Sequence, residues 1–167
     1  PKIDSTSIKF DSADYISIAD SADWDFGTGA FCIEFWFKPV NSTANQNLLH
    51  TVNTTAVAGH FNIIYVPNAS SYIIMNSGIA GHQTGNIALT SGTWYHVALA
   101  RDGSNSLQQY INGVASGSAY TTSWNITSSQ PIWIAKGATN GGSDTTGYFD
   151  EIRIVKGEQV YSGNFTP

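Results

Sequence analysis

Gly147-Tyr-Phe-Asp-Glu-Ile-Arg-Ile-Val155 alternates apolar and polar side chains in the way a half-buried β-strand must. A turn, Lys156-Gly-Glu158, and a tail ending in Pro167 follow it. The stretch therefore reads as a last strand that closes a sheet against the first. It carries two adjacent carboxylates, Asp150 and Glu151, which strict alternation points to opposite faces.

The rest of the chain repeats this pattern. Phe31-Cys-Ile-Glu-Phe-Trp-Phe-Lys-Pro39 is its most apolar run, with Phe31, Ile33, Phe35 and Phe37 on one face and Cys32, Glu34, Trp36 and Lys38 on the other. Large rings on both faces predict a central strand, covered at least in part on both sides. Residues 7–10 and 15–19 are short period-two runs joined by Asp11-Ser-Ala-Asp14, a turn whose Asp side chains can cap backbone amides. Residues 20–29 form a loop holding Trp24 and Phe26, with a single helical turn started by Ser21. Residues 60–66 and 71–75 pair as a hairpin, and a short strand is expected near 86–89. Asp102-Gly103 and Asn112-Gly113 are hairpin turns that make a meander of residues 94–119, and 132–136 and 148–155 complete the set. Short strands at such even spacing predict an all-β, two-sheet antiparallel sandwich. One domain is expected over residues 1–167, as a piece of a longer chain.

Composition agrees and excludes partners. Charged residues are 11% of the chain, against roughly 25% in typical domains, which disfavours long surface helices. The net charge is −5 and the few bases are scattered, so nucleic acid is not an expected partner. No apolar run reaches the ~18 residues of a spanning helix, so no membrane insertion is expected. Cys32 is the sole cysteine, which rules out an intrachain disulfide and reads as a buried, inert thiol.

Catalysis finds little support. Glycoside hydrolysis needs two carboxylates flanking the scissile bond, and Glu34 has no carboxylate at positions 32, 36 or 38. His50, His60, His82 and His96 are dispersed and no nucleophile elbow occurs, so no catalytic residue is assigned. Sugar binding needs exposed rings and amide or carboxylate forks. Trp24, Tyr72, Tyr120, Trp124 and Trp133 sit in or beside loops and are the candidate rings; plugging the edge of the core is the competing role for each. His82, and Asn140 and Asp144 of the rim loop Asn140-Gly-Gly-Ser-Asp144, are candidate polar contacts.

Asp14-Tyr-Ile-Ser-Ile18, the run 31–39, Gly92-Thr-Trp-Tyr-His-Val-Ala-Leu-Ala-Arg-Asp-Gly103, Gln109-Tyr-Ile-Asn-Gly113 and residues 147–154 together resemble the laminin G-like group of the concanavalin A-like lectin/glucanase superfamily. The ending, residues 154–167, looks like versions in marine phage tail, fibre and capsid-associated proteins and in bacterial surface proteins. The resemblance implies a jelly-roll sandwich with adjacent N- and C-terminal strands, and burial of Trp36 and Trp94. It also implies a structural calcium, held by Asp150 with Asp11 and Asp14 of the first turn; capping of backbone amides is the alternative role for Asp150. The expected function is a non-catalytic module that recognises a glycan or cell-surface polysaccharide, extracellular or on a virion surface. The alternatives are a structural capsid or fibre domain that binds other subunits, and, third, a glycoside hydrolase.

Overall fold

The computed structural model describes residues 2–40, 43–51, 59–67, 72–77, 80–83, 89–137 and 144–167. In chain order the strands are β1 (Ile8–Phe10), β2 (Ile16–Ile18), β3 (Phe31–Pro39), β4 (Gln46–His50), β5 (Phe61–Val66), β6 (Tyr72–Ser77) and β7 (Ala80–Gln83). They continue as β8 (Tyr95–Arg101), β9 (Ser106–Ile111), β10 (Val114–Ala115), β11 (Tyr120–Thr121), β12 (Ile132–Ile134) and β13 (Gly147–Lys156). A 3-10 turn, Ala22–Trp24, is capped by the Ser21 side chain, which accepts from Asp23 N.

Two antiparallel sheets result. A seven-stranded sheet runs β1-β13-β3-β8-β9-β10, with β11 also on β9; a six-stranded sheet runs β2-β12-β4-β5-β6-β7. As expected, β13 is the closing strand: it pairs with β1 on one side and β3 on the other. The two N-terminal strands part company, however. The turn at 11–14 carries the chain from one sheet to the other, so β1 and β2 do not form a hairpin. The meander forms as read, except that its third strand is short; β10 and β11 each pair with a different part of β9. The strand expected near 86–89 falls largely outside the described residues.

Between the sheets lies one core. Phe31, Ile33, Phe35 and Phe37 of β3 pack with Phe149 of β13, Leu48 and Leu49 of β4, and Phe61, Ile63 and Tyr65 of β5. Two adjacent leucines of β4 both reach this core because a bulge between Asn47 and Leu49 breaks the alternation. The other face of the seven-stranded sheet has its own cover. Cys32, Ala98, Ala100 and Tyr110 are buried beneath Val155 and the C-terminal tail residues Val160, Tyr161 and Phe165. Tyr161 and Phe165 stack at 3.5 Å between ring centroids. Burial pushes the Cys32 thiol up to about 12, which leaves it inert as expected.

Candidate functional site

The outward face of the six-stranded sheet carries a cross-strand row. Ile132 and Ile134 face the core, so Trp133 between them faces out; by the same alternation His50 and Asn62 face out beside core-facing Leu49, Phe61 and Ile63. Register places Ser17, Trp133, His50, Asn62 and Asn76 side by side on β2, β12, β4, β5 and β6. The His50 and Trp133 rings are 5.5 Å apart, and His50 Nε2 lies 2.7 Å from the carbonyl oxygen of Lys136. Asn62 is only 5% exposed, and its Oδ1 accepts no hydrogen bond among the described residues. A buried acceptor left open in this way costs stability until a donor satisfies it. At the edge of the row the Lys136 ammonium lies between two rings, 4.7 Å from Tyr15 and 4.8 Å from Trp133. Tyr15, at 51% exposure, supplies an accessible ring beside this row.

The outward face of the seven-stranded sheet carries an ionic cluster. Glu34 on β3 stands opposite Arg153 on β13 and Ala98 on β8, and its carboxylate is bonded by Arg153 Nε. His96 Nε2 lies 3.3 Å from the second oxygen, close to it but poorly aligned for a hydrogen bond. Tyr161 of the tail completes the ring of partners. Burial would raise the Glu34 carboxyl, but the contacts with His96, Tyr161 and Arg153 and the Arg153 charge outweigh it and bring it down to about 2. Glu34 therefore stays ionised. It forms part of a cleft of about 530 Å³ that Ile3, Asp4, Trp36, His96, Glu151, Arg153, Tyr161, Thr166 and Pro167 also line.

Strict alternation misplaces one member of this cleft. The β13–β3 register shifts between Asp150 and Arg153, and Glu151 takes a left-handed φ of +47°. The bulge inserts a residue, so Glu151 lines the same cleft as Glu34 instead of turning to the opposite side from its outward neighbour Asp150.

Of the three expected calcium ligands, Asp150 accepts from the backbone N–H groups of Lys2 (3.1 Å) and Ile3 (3.0 Å) through Oδ2, and of Glu151 through Oδ1. Asp11 pairs with Lys9 Nζ at 2.9 Å, and Asp14 Oδ2 accepts from Asp11 N. Phe10 faces Gly147 and Ile8 faces Phe149, so Asp11 and Asp150 lie off opposite ends of β1. That separates them by roughly 13 Å at ~3.3 Å per residue. Among the described residues no group of three or more His, Cys, Asp or Glu side chains is placed to hold a metal ion. These carboxylates do not fit one calcium site; what they do here is cap and tether the N-terminal segment.

Three of the expected sugar-binding rings are spoken for by the fold. Trp124 is 7% exposed and belongs to the core, and Tyr120 and Trp24 pack against it. Trp24 Nε1 donates to the Ala19 carbonyl. Asp144 Oδ1 accepts from Gly137 N at 2.7 Å and so anchors the base of its loop. Tyr72 and His82 lie on β6 and β7 at the far side of the six-stranded sheet, and their side chains lie outside the description, as does Asn140. Trp36 is buried but faces outward into the cleft, and Trp94 is half-buried against Tyr148. Of the row through Asn62, Trp133 was a candidate from sequence; Asn62 itself and the Glu34–Arg153 pair were not singled out. Only the register that brings distant strands together reveals them.

A laminin G-type family profile, described as the concanavalin A-like lectin/glucanases superfamily, matches residues 10–158. Among solved structures, domain 4 of an extracellular arabinanase from Geobacillus stearothermophilus, in complex with arabinotriose, is similar. It superposes with a TM-score of 0.70 at 18% identity, over 94% of this chain and 73% of that one. The CBM40 of a Ruminococcus gnavus sialidase, bound to α2,3-sialyllactose, gives a TM-score of 0.72 at 14% identity over 95% and 92% of the two chains. A heptameric pentraxin from Limulus polyphemus gives 0.58 at 15% identity over 84% and 74%. No curated protein sequence matches the chain.

Proposed function

The chain belongs to the concanavalin A-like lectin/glucanases superfamily, and on that premise we propose that it is a non-catalytic glycan-binding module whose ligand lies along the outward face of the six-stranded sheet. The observation that carries the reading is the Ser17–Trp133–His50–Asn62 row with the open, buried Asn62 acceptor. A sugar offers apolar C–H faces and hydroxyl donors, which Tyr15 and the Asn62 oxygen respectively suit. Four neighbouring strands span about 14 Å at ~4.8 Å each, a width that matches an oligosaccharide. The oligosaccharides bound by the arabinanase domain and the sialidase module, which share this fold, support the same class of ligand.

The non-catalytic part rests on charge. The row itself holds no carboxylate, and on the opposite face Glu34 is held at about 2, far below the raised value a general acid needs. We further place the module on an extracellular or virion surface. Its low charge suits saline surroundings, where screening removes electrostatic steering in any case.

The test is a glycan array followed by calorimetry with the best hit. Asn62→Ala and Tyr15→Ala are each expected to weaken binding at least tenfold with the melting temperature within a few degrees of the parent. Full affinity in both variants would move the site off this face.

A further inference from the structure

On the outward face of the six-stranded sheet, we propose that the ligand is an acidic saccharide, whose negative group pairs with the ammonium of Lys136 while a hydroxyl meets the open Asn62 oxygen. This rests on the glycan-binding reading of that face and adds the class of sugar. Lys136 follows β12, where Ile132 and Ile134 point into the core. Simple alternation would send Lys136 inward after them. Ala135 prevents this: it takes a left-handed φ of +66° and is itself part of the core. The next side chain emerges on the outward face, with its ammonium 4.8 Å from the Trp133 ring and 4.7 Å from that of Tyr15. An alanine keeps such a conformation only where its surroundings enforce it. Here Ala135 N donates to the Leu48 carbonyl (2.9 Å) and the Ala135 carbonyl accepts from Thr145 N (2.7 Å). The Lys136 carbonyl oxygen is fixed in turn by His50 Nε2 at 2.7 Å.

The charge placed in this way is not neutralised by the chain. Among the described residues Lys136 has no carboxylate within ion-pair distance. Asp144, on the loop that returns to β13, turns its Oδ1 to Gly137 N instead. Rings attract an ammonium without cancelling its charge, and holding it between two of them removes rotamer freedom that a free lysine would lose on binding an anion. Trp133, one of those rings, neighbours His50 in the row, and His50 neighbours Asn62. Asn62 therefore lies two strands, or roughly 10 Å, beyond Trp133, so one ligand laid along the row meets both the cation and the buried acceptor. A sugar with hydroxyls alone would satisfy Asn62 and leave the cation unpaired. Lysine presents a point charge rather than a planar fork, so it reads negative charge and not the shape of one oxyanion. A sugar carboxylate and a sulfate ester share that chemistry.

A glycan array of carboxylated and sulfated oligosaccharides tests this, each beside its uncharged counterpart: the methyl ester of the carboxylate, or the desulfated chain. Calorimetry of the whole chain with the best acidic hit and its counterpart follows, in the parent, Lys136→Met and Lys136→Arg. The parent is expected to bind the acidic form about tenfold more tightly than the uncharged one, a gap that narrows as salt is raised. Lys136→Met should erase the gap, leaving the melting temperature and the affinity for the uncharged form near those of the parent. Lys136→Arg, which keeps the charge, should retain it. Preference for carboxylates alone assigns an acid sugar, for sulfates alone a sulfated one, and for both a site that reads charge by itself. Equal affinity of the parent for acidic and uncharged forms, a comparison that needs no variant, would overturn the inference. So would a preference for acids that survives Lys136→Met. Either result leaves glycan binding at this face standing; full affinity in Asn62→Ala and Tyr15→Ala, or no saccharide bound at all, removes that reading and the inference with it.

Discussion

Arg101 is fully buried at the end of β8, yet among the described residues it has no carboxylate partner. Its guanidinium donates to three backbone carbonyls, those of Gly29 (2.8 Å), Trp124 (2.8 Å) and Gly27 (2.7 Å), and lies over the Phe31 ring. One side chain thus joins the loop before β3 to the loop after β11, which only a planar fork with several donors can do. Arg101→Met is expected to lower the unfolding free energy in urea by about 3 kcal/mol, since it strands buried carbonyls. Arg101→Lys should recover little of that loss, because a single ammonium cannot reach all three. Glu34 makes the second prediction at this scale. Its carboxyl sits at about 2 in the fold against an ordinary 4.5, so it contributes stability that is fully present above pH 4.5 and is lost as pH falls toward 2. In Glu34→Gln the part of the stability–pH curve between those values should flatten, as acid titration followed by circular dichroism would record.

Alternation made the strands legible as elements and failed where a strand carries an extra residue. Both bulges, at Asn47–Leu49 and at Asp150–Arg153, are invisible to a period-two reading. The second decides how the carboxylates of β13 are aimed: Glu151 joins the cleft because its backbone turns left-handed. Likewise Ala13, in the turn between β1 and β2, adopts φ +80°, a conformation that favours glycine and that this turn imposes on alanine. The C-terminal tail is the element sequence described least well. In sequence it shows only as a tail ending in Pro167, but Phe165 N donates to the Gly113 carbonyl and Asn164 Oδ1 accepts from Ala115 N, so the tail is strapped across the β9–β10 turn. Gly113 has φ +76°, and a Cβ there would come within 1.9 Å of the Phe165 carbonyl oxygen. Gly113→Ala should therefore lift the tail, with faster hydrogen exchange at Phe165 and about 2 kcal/mol less stability.

At the scale of the whole molecule, the two outward faces carry different chemistry on one scaffold. The six-stranded face carries amide, imidazole, hydroxyl and ring groups in a row, most of them buried; the seven-stranded face carries a closed ion pair and a cleft lined by further acids. Glycan binding lost in Asn62→Ala but unchanged in Glu34→Gln would establish that the faces act independently. The β-class, the sandwich, the closing role of residues 147–155, the family and the inert cysteine were all legible in the amino-acid sequence. Each of these depends on local periodicity and turn chemistry, which neighbouring residues determine. The candidate sites were legible only through Trp133. Of the rings chosen for standing near loops, Trp24, Tyr120 and Trp124 pack into or against the core and Trp133 lies in the cross-strand row, whereas Asn62 and Glu34 gain their settings from strands distant in the chain. Which residues share a face across several strands is a matter of register and bulges, and those are decided only when the whole core packs.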